Sequence, residues 1–470
     1  MSLTLACLAA LLATEASAAS SAAQQRLIVA DPTSVVPAPD GSRARPFRTV
    51  GAALAAARDG DIIVLEPGLY TERLVIERAV TVVGKRGHSV LVSPDSTGTV
   101  VELRAPAILE GLSVQGGEIG VRVLAGRSGL RELGFSAQRR AAVLVEEGAT
   151  AEVQGGQFAA SFDRRGLVGL DGSKAGLEVR DARFEGPFEF AVRARGGSME
   201  VTGGTIEGAV SGIACTEGCR GRVRGAVVAQ GRRTGILVQG ASLELRDVLV
   251  SRWESGIEAR DEAQLRVEDS ATAFCVQAAI TVVRSQIELR HHVHVGPAVL
   301  AAIALIDSAA TIEDGVVLDP GATGIAFHRA QGEVTGTLVR GARGQTEGDA
   351  LFAELCEGLV LRHLFLEESS GTGLTMQGGQ GRGVGLEIAE AQAGGVIAQV
   401  GARLALEGIT VWSSDGTGLT AREGAIIEAR FGRFGEVVAG PSFADCASGA
   451  KVQLRQTMAP ARVVTVPCVE

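Results

Sequence analysis

Four residues that could do chemistry recur at a near-constant spacing. They are Asp247, Asp269, His291 and Asp314, at steps of 22, 22 and 23 residues. If the chain winds once per step, they stack along one edge about 5 Å apart. Carboxylates at that spacing suit a hard cation such as Ca2+. They also raise one another's pKa, so that one can serve as an acid. His291 between them has the titration range of a general base. The competing reading is that Asp and His are tolerated where a backbone turns left-handed. His291-His292-Val293-His294 is the one histidine cluster. On a regular strand His292 and His294 share a face, a pair that still needs a third ligand to hold Zn2+ or Cu2+. Arg180, Arg224, Arg246, Arg290 and Arg362 form a further series just ahead of the turn positions. Facing outward, they either pair with carboxylates or recognise an acidic sugar.

These spacings belong to a longer series. A small residue followed by an apolar one recurs about every 23 residues, from Gly120-Val121 through Gly235-Ile236 and Ala302-Ile303 to Gly418-Leu419. A fixed period means stacked units. Residues 235–255 carry three apolar stretches, Ile236–Val238, Leu243–Leu245 and Val248–Val250, separated by Gly, Ser or Asp. Alternating and β-branched residues in short runs predict strands. No unit carries a helical stripe. A leucine-rich repeat consensus is missing, and the chain contains no Asn. The prediction is an all-β fold: a single right-handed parallel β-helix of about sixteen coils, roughly 75 Å long at the strand spacing. Gly111, Gly134, Gly155, Asp181, Gly203, Gly225, Asp247, Asp269, His291, Asp314, Gly336, His363, Glu390 and Gly408 align as a left-handed turn column.

The repeat runs through most of the 470 residues, so one elongated domain is expected. Residues 1–18 read as a signal peptide, with an apolar run at Leu3–Ala13 and cleavage before Ala19. That predicts a secreted, periplasmic or outer-surface protein; no segment is apolar enough for a membrane span. Cys7 lies in a poor lipobox. Residues 19–45 are expected as a flexible lead-in, 46–60 as a capping helix, 61–440 as the β-helix and 441–470 as a C-terminal cap. Pro297, Pro320 and Gly378–Gly385 are expected to mark excursions from the rod. An exported chain permits disulfides, with Cys215–Cys219 and Cys446–Cys468 as the candidate pairs. Cys275 and Cys356 are about three coils apart, too far to bridge, and read as buried thiols. A net charge of −9, spread along the chain, argues against nucleic acid and against polyanionic glycans unless a cation mediates. Trp253, Phe274 and Trp412 fall at similar points of their coils, as a sparse sugar-stacking platform or as core-edge packing.

Residues 46–87, PFRTVGAALAAARDGDIIVLEPGLYTERLVIERAVTVVGKRG, add a resemblance. The order of helix, strand, PG-x-Y-x-E, strand and glycine turn, with Pro67, Gly68, Tyr70 and Glu72 matching directly, resembles the opening of pectin lyase-like and pectinesterase-like β-helix proteins. The resemblance implies the fold. It does not carry the activity: the DFxFG-like and QAxAL-like segments of pectinesterases are missing, as are the motifs of polygalacturonases and alginate epimerases. Two functions follow as expectations. The first is an extracellular scaffold or binding protein, with polysaccharide or a cell-surface glycan as partner. The alternative is a polysaccharide lyase or glycoside hydrolase with a site near residues 247–314.

Overall fold

Each repeat closes into one turn because its three apolar strands cannot bury their inner faces alone. In the computed structural model, which describes residues 25–161, 166–344 and 348–458, successive repeats stack in parallel register. Thr234–Gln239 pairs with Ser211–Thr216 below and Ser255–Arg260 above. Ser242–Arg246 lies between Arg220–Arg224 and Gln264–Glu268. Leu249–Ser251 lies between Val227–Ala229 and Ala271–Ala273. Three parallel sheets result, which we call faces A, B and C in that order. The architecture is a right-handed parallel β-solenoid of about 18 turns. At ~4.8 Å per turn it is about 85 Å long, longer than the sixteen-coil expectation.

Period-two alternation decides what lies inside. Ile236, Val238, Leu245 and Val250 are fully buried, whereas Glu244 and Arg246 between them face outward. Like residues stack on like along the core. Phe135, Phe158 and Phe184 form a ring stack inside face C, with centroids 4.8 and 4.3 Å apart.

The corner from face B to face C needs one left-handed residue. Asp181, Asp247, Asp269, His291, Asp314 and His363 hold it, with φ near +50°. Two members of the sequence-derived column are displaced. Glu132 (φ +49°) occupies the corner in place of Gly134, which begins a face C strand. Gly385 (φ +65°) occupies it in place of Glu390, which sits after the face C strand of its coil. Local composition allowed either choice; strand register decided it.

The N-terminal end differs from expectation in extent. The helix α1 covers Val50–Ala56 only, capped by the Thr49 hydroxyl accepting from the Ala52 amide. Within the expected flexible lead-in, Leu27–Ala30 is a strand paired with Ile62–Leu65. Arg26 anchors it through a 2.5 Å ion pair to the buried Asp61. The PG-x-Y-x-E residues serve this end. The Glu72 carboxylate accepts from the Val50 and Gly51 amides at 2.7 and 2.8 Å. The buried Tyr70 hydroxyl reaches the Ala30 and Glu66 carbonyls at 2.9 and 2.8 Å. Gly378–Gly385, expected as an excursion, mostly lies inside the strand Thr372–Val384, which bends from face A to face B. Coiling continues into the expected C-terminal cap, where Ser442–Ala444 and Lys451–Arg455 each pair with the coil below. The expected signal peptide, Cys7 and Cys468 lie outside the described residues.

Candidate functional site

The sequence-derived ladder does come together, on an exposed corner. His291 Nδ1 lies 3.2 Å from Asp269 Oδ1, and its Nε2 lies 3.8 Å from Asp314 Oδ2. Arg246 Nη2 lies 3.4 Å from Asp269 and its Nε 3.9 Å from Asp247. The side chains of Asp247, His291 and Asp314 are more than half exposed. A cation cage needs carboxylates converging on one point. Among the described residues no group of three or more His, Cys, Asp or Glu side chains does so. Asp247, Asp269 and Asp314, expected as Ca2+ ligands, stand one per coil along this corner, with His291 between Asp269 and Asp314. Stacking spreads these groups along the rod, and exposed pairs of this kind contribute about 0.2–1 kcal/mol each. The four residues shape a corner and line neither of the two large concavities described below.

His292 and His294 share a face, and that face is the interior. Both are buried, and both reach the Thr272 hydroxyl, His292 through Nε2 at 3.0 Å and His294 through Nδ1 at 3.1 Å. His294 Nε2 lies 2.8 Å from the Gly296 carbonyl. Thr272 and His294 are in register on neighbouring face C strands, so the two histidines expected as a metal pair form a polar break in an apolar column. Burial pushes the His292 pKa down to about 3, with the neighbouring His294 adding to the effect, and burial lowers His294 as well.

Cys215 and Cys219 are joined by a disulfide. Cys275 and Cys356 are buried free thiols, and burial raises the pKa of both, to about 11 for Cys275. The aromatic platform does not form: Trp253 is buried and donates from Nε1 to the Val228 carbonyl at 3.0 Å. Phe274 and Trp412 are exposed six coils apart.

A long concavity runs along face B. It has a volume of about 1080 Å3 and extends from Leu177 to Val360. Nine coils at the strand spacing make it about 40 Å long. A second hollow of about 710 Å3 shares Gln264, Gln286, Ala309 and Gln331 with it. Those residues are the first outward positions of successive face B strands, in direct register with one another. They form the floor of one trough. One wall is the next outward column: Arg222, Glu244, Arg266, Glu288 and Glu333. The other wall is the A-to-B corner: Glu262, Arg284, Asp307, Arg329 and Leu355.

Most of the wall charges are paired. Arg329 grips Asp307 through two bonds of 2.7 and 2.9 Å, which hold the Asp307 carboxyl below the usual carboxylate range. Arg284 pairs likewise with Asp261. Arg222 approaches Glu244 at 3.2 Å and Arg266 approaches Glu288 at 3.8 Å. The arginine series beside the trough is occupied too: Arg290 lies 2.6 Å from Glu288, and Arg362 lies 2.6 Å from Glu333. Sequence reasoning singled out this arginine series and passed over the glutamines. The signal was present: Gln264 and Gln286 recur at a 22-residue step, the same evidence that drew attention to the aspartates.

No helix among the described residues is long and apolar enough to cross a membrane. No family model and no curated protein sequence matches the chain. Among solved structures, it is similar to the catalytic unit of the GH87 alpha-1,3-glucanase of Streptomyces thermodiastaticus strain HF3-3. The two share 10% identity over 89% of this chain and 66% of that one, just under two thirds, with a TM-score of 0.32. It is similar to pectate lyase Pel9A at 13% identity over 63% of this chain and 76% of that one, with a TM-score of 0.32. It is also similar to the A-module of the Azotobacter vinelandii mannuronan C-5 epimerase AlgE6, at 13% identity over 86% and 94% of the two chains, with a TM-score of 0.26. At these scores the likeness carries nothing about activity, and the right-handed parallel β-helix assignment stands on the strand register of the chain itself.

Proposed function

We propose that this protein is an exported, non-catalytic binding rod that holds an extended polysaccharide along face B. The observation that carries the reading is the trough: about 40 Å long at the strand spacing, and floored from Ser242 to Gln331 by short or amide side chains in register. A repeating ligand fits a repeating floor, because each coil offers the next segment of the ligand the same backbone frame. The walls add polar groups, most of them held in ion pairs. The ladder at Asp247, Asp269, His291 and Asp314 is a convex edge in this reading, and five of the eight trough carboxylates, Glu178, Glu244, Glu288, Asp307 and Glu333, are engaged by arginines, which leaves those five poorly suited to proton transfer. The expected signal peptide at residues 1–18 places the rod where polysaccharide is met.

The test is a blocked trough. Ala309 sits at mid-floor, half-buried and facing outward. Ala309→Trp fills the floor with a residue that strands accept. Affinity electrophoresis through polysaccharide-containing gels should show retention of the wild type, its loss in Ala309→Trp, and its survival in Ala271→Trp on the outer side of face C. Retention that is indifferent to Ala309→Trp sinks the trough as the site. Release of unsaturated or new reducing ends from a retained polymer contradicts the non-catalytic part. Mass spectrometry of protein from its native host should find a mature chain beginning at Ala19; a retained Met1 contradicts export.

A further inference from the structure

The trough's chemistry says more than that it is long. Resting on the reading above, we propose that its ligand is a neutral polysaccharide, read by the glutamine ladder, and that polyuronates and other polyanionic glycans are excluded.

The floor runs Ser242, Gln264, Gln286, Ala309, Gln331, each in register with the next. Four steps at the strand spacing make it about 19 Å long. A primary amide offers two donors and an acceptor, so one side chain satisfies a sugar hydroxyl in both of its roles. The three glutamines are exposed. Gln264 accepts a 3.4 Å contact from Ser242, while the Gln286 and Gln331 amides have no hydrogen-bond partner among the described residues. Their bonds go to water, which a hydroxyl-rich chain replaces one for one. Charge decides the rest. Eight carboxylates and five guanidinium groups line the two joined concavities, so the field over the floor is negative. Arg222, Arg284 and Arg329 are already spent on Glu244, Asp261 and Asp307. A uronate would meet an excess of like charge, with Arg220 at one end of the floor as the lining guanidinium that holds no ion pair among the described residues, a balance that penalises the wrong partner. No aromatic side chain lines the trough, so stacking adds nothing and affinity accumulates through hydrogen bonds, coil by coil. Binding should therefore strengthen with chain length.

The experiment is affinity electrophoresis of the full chain in gels holding one polymer each: a neutral β-glucan, galactomannan, polygalacturonate, alginate and chitosan. Wild type, Gln264→Ala, Gln286→Ala and Ala309→Trp run side by side. A neutral polymer should retard the wild type, and polygalacturonate and alginate should not. Each glutamine deletion should weaken retention by about fivefold, one hydrogen bond's worth. Preferential retention by a uronate or by chitosan, lost in Ala309→Trp, overturns the neutral-ligand inference and leaves the trough reading standing. Neutral retention that Ala309→Trp abolishes but neither glutamine variant alters overturns the ladder as the reader. Retention by none of the five polymers overturns both.

Discussion

Acidification should attack this rod from inside, through His292. Its ring is buried and Nδ1 has no hydrogen-bond partner among the described residues. Protonation would place a charge in the buried core, where the Thr272 hydroxyl and the Ser270 backbone offset only part of the lost hydration. The folded pKa of about 3 lies below the ordinary histidine value, 6.5. The unfolded chain therefore binds more protons than the folded one between those values, and stability falls as pH falls through that window. At 1.36 kcal/mol per pH unit, moving from pH 7 to pH 4 removes about 3 kcal/mol through this residue alone. His294, lowered for the same reason, adds to the loss with the same sign. Contacts in a solenoid are between neighbours, so opening would start in the coils around residues 264–318. The perturbation is His292→Leu, which fills similar space and cannot titrate. Carboxylates give any such protein some acid sensitivity, so the readout is a difference. Denaturant unfolding of wild type and variant at pH 7 and pH 4 should show the variant losing about 3 kcal/mol less. Parallel losses would refute the reasoning and mean that the His292 proton finds a partner inside.

Three further outcomes follow from the packing. Ile236→Asp or Leu245→Asp introduces an unpaired charge at a fully buried core position and should abolish cooperative folding by circular dichroism; an unchanged melting temperature would reverse the inside-outside assignment. Glu72→Ala strips the first amides of α1 of their acceptor and should cost about 1–2 kcal/mol in thermal unfolding, with Glu72→Gln costing less. Cys215→Ala removes a bridge that closes a very short loop and should lower stability by about 2 kcal/mol, read by denaturant titration, with no change in glycan retention.

What the sequence made legible was the winding. A small-apolar pair every 23 residues or so is a property of the chain, and stacking turns it directly into register. The turn column was legible wherever Asp, His or Gly stood alone, as at Asp269 and His291. It slipped by two residues at Glu132, where a charged residue takes the left-handed corner next to a more tempting glycine. That His292 and His294 share a face was legible, but which face was not: the sequence around them is polar, and the strand phase is set by the coils above and below. The trough was the least legible. It exists only because Gln264, Gln286 and Gln331 lie side by side after winding, and a search weighted toward acids, histidines and arginines gives amides no weight. The ladder at Asp247–Asp314 drew attention by the same spacing, and its geometry is that of a corner.

The central claim is that face B is where the rod holds a glycan. A crystal structure with a bound neutral oligosaccharide tests it most directly. The account predicts sugar density over Ser242, Gln264, Gln286, Ala309 and Gln331, running along the rod axis with hydroxyls in hydrogen-bond reach of the glutamine amides. Density at the Asp247–Asp314 corner or on face C, with the trough holding only water, would contradict it.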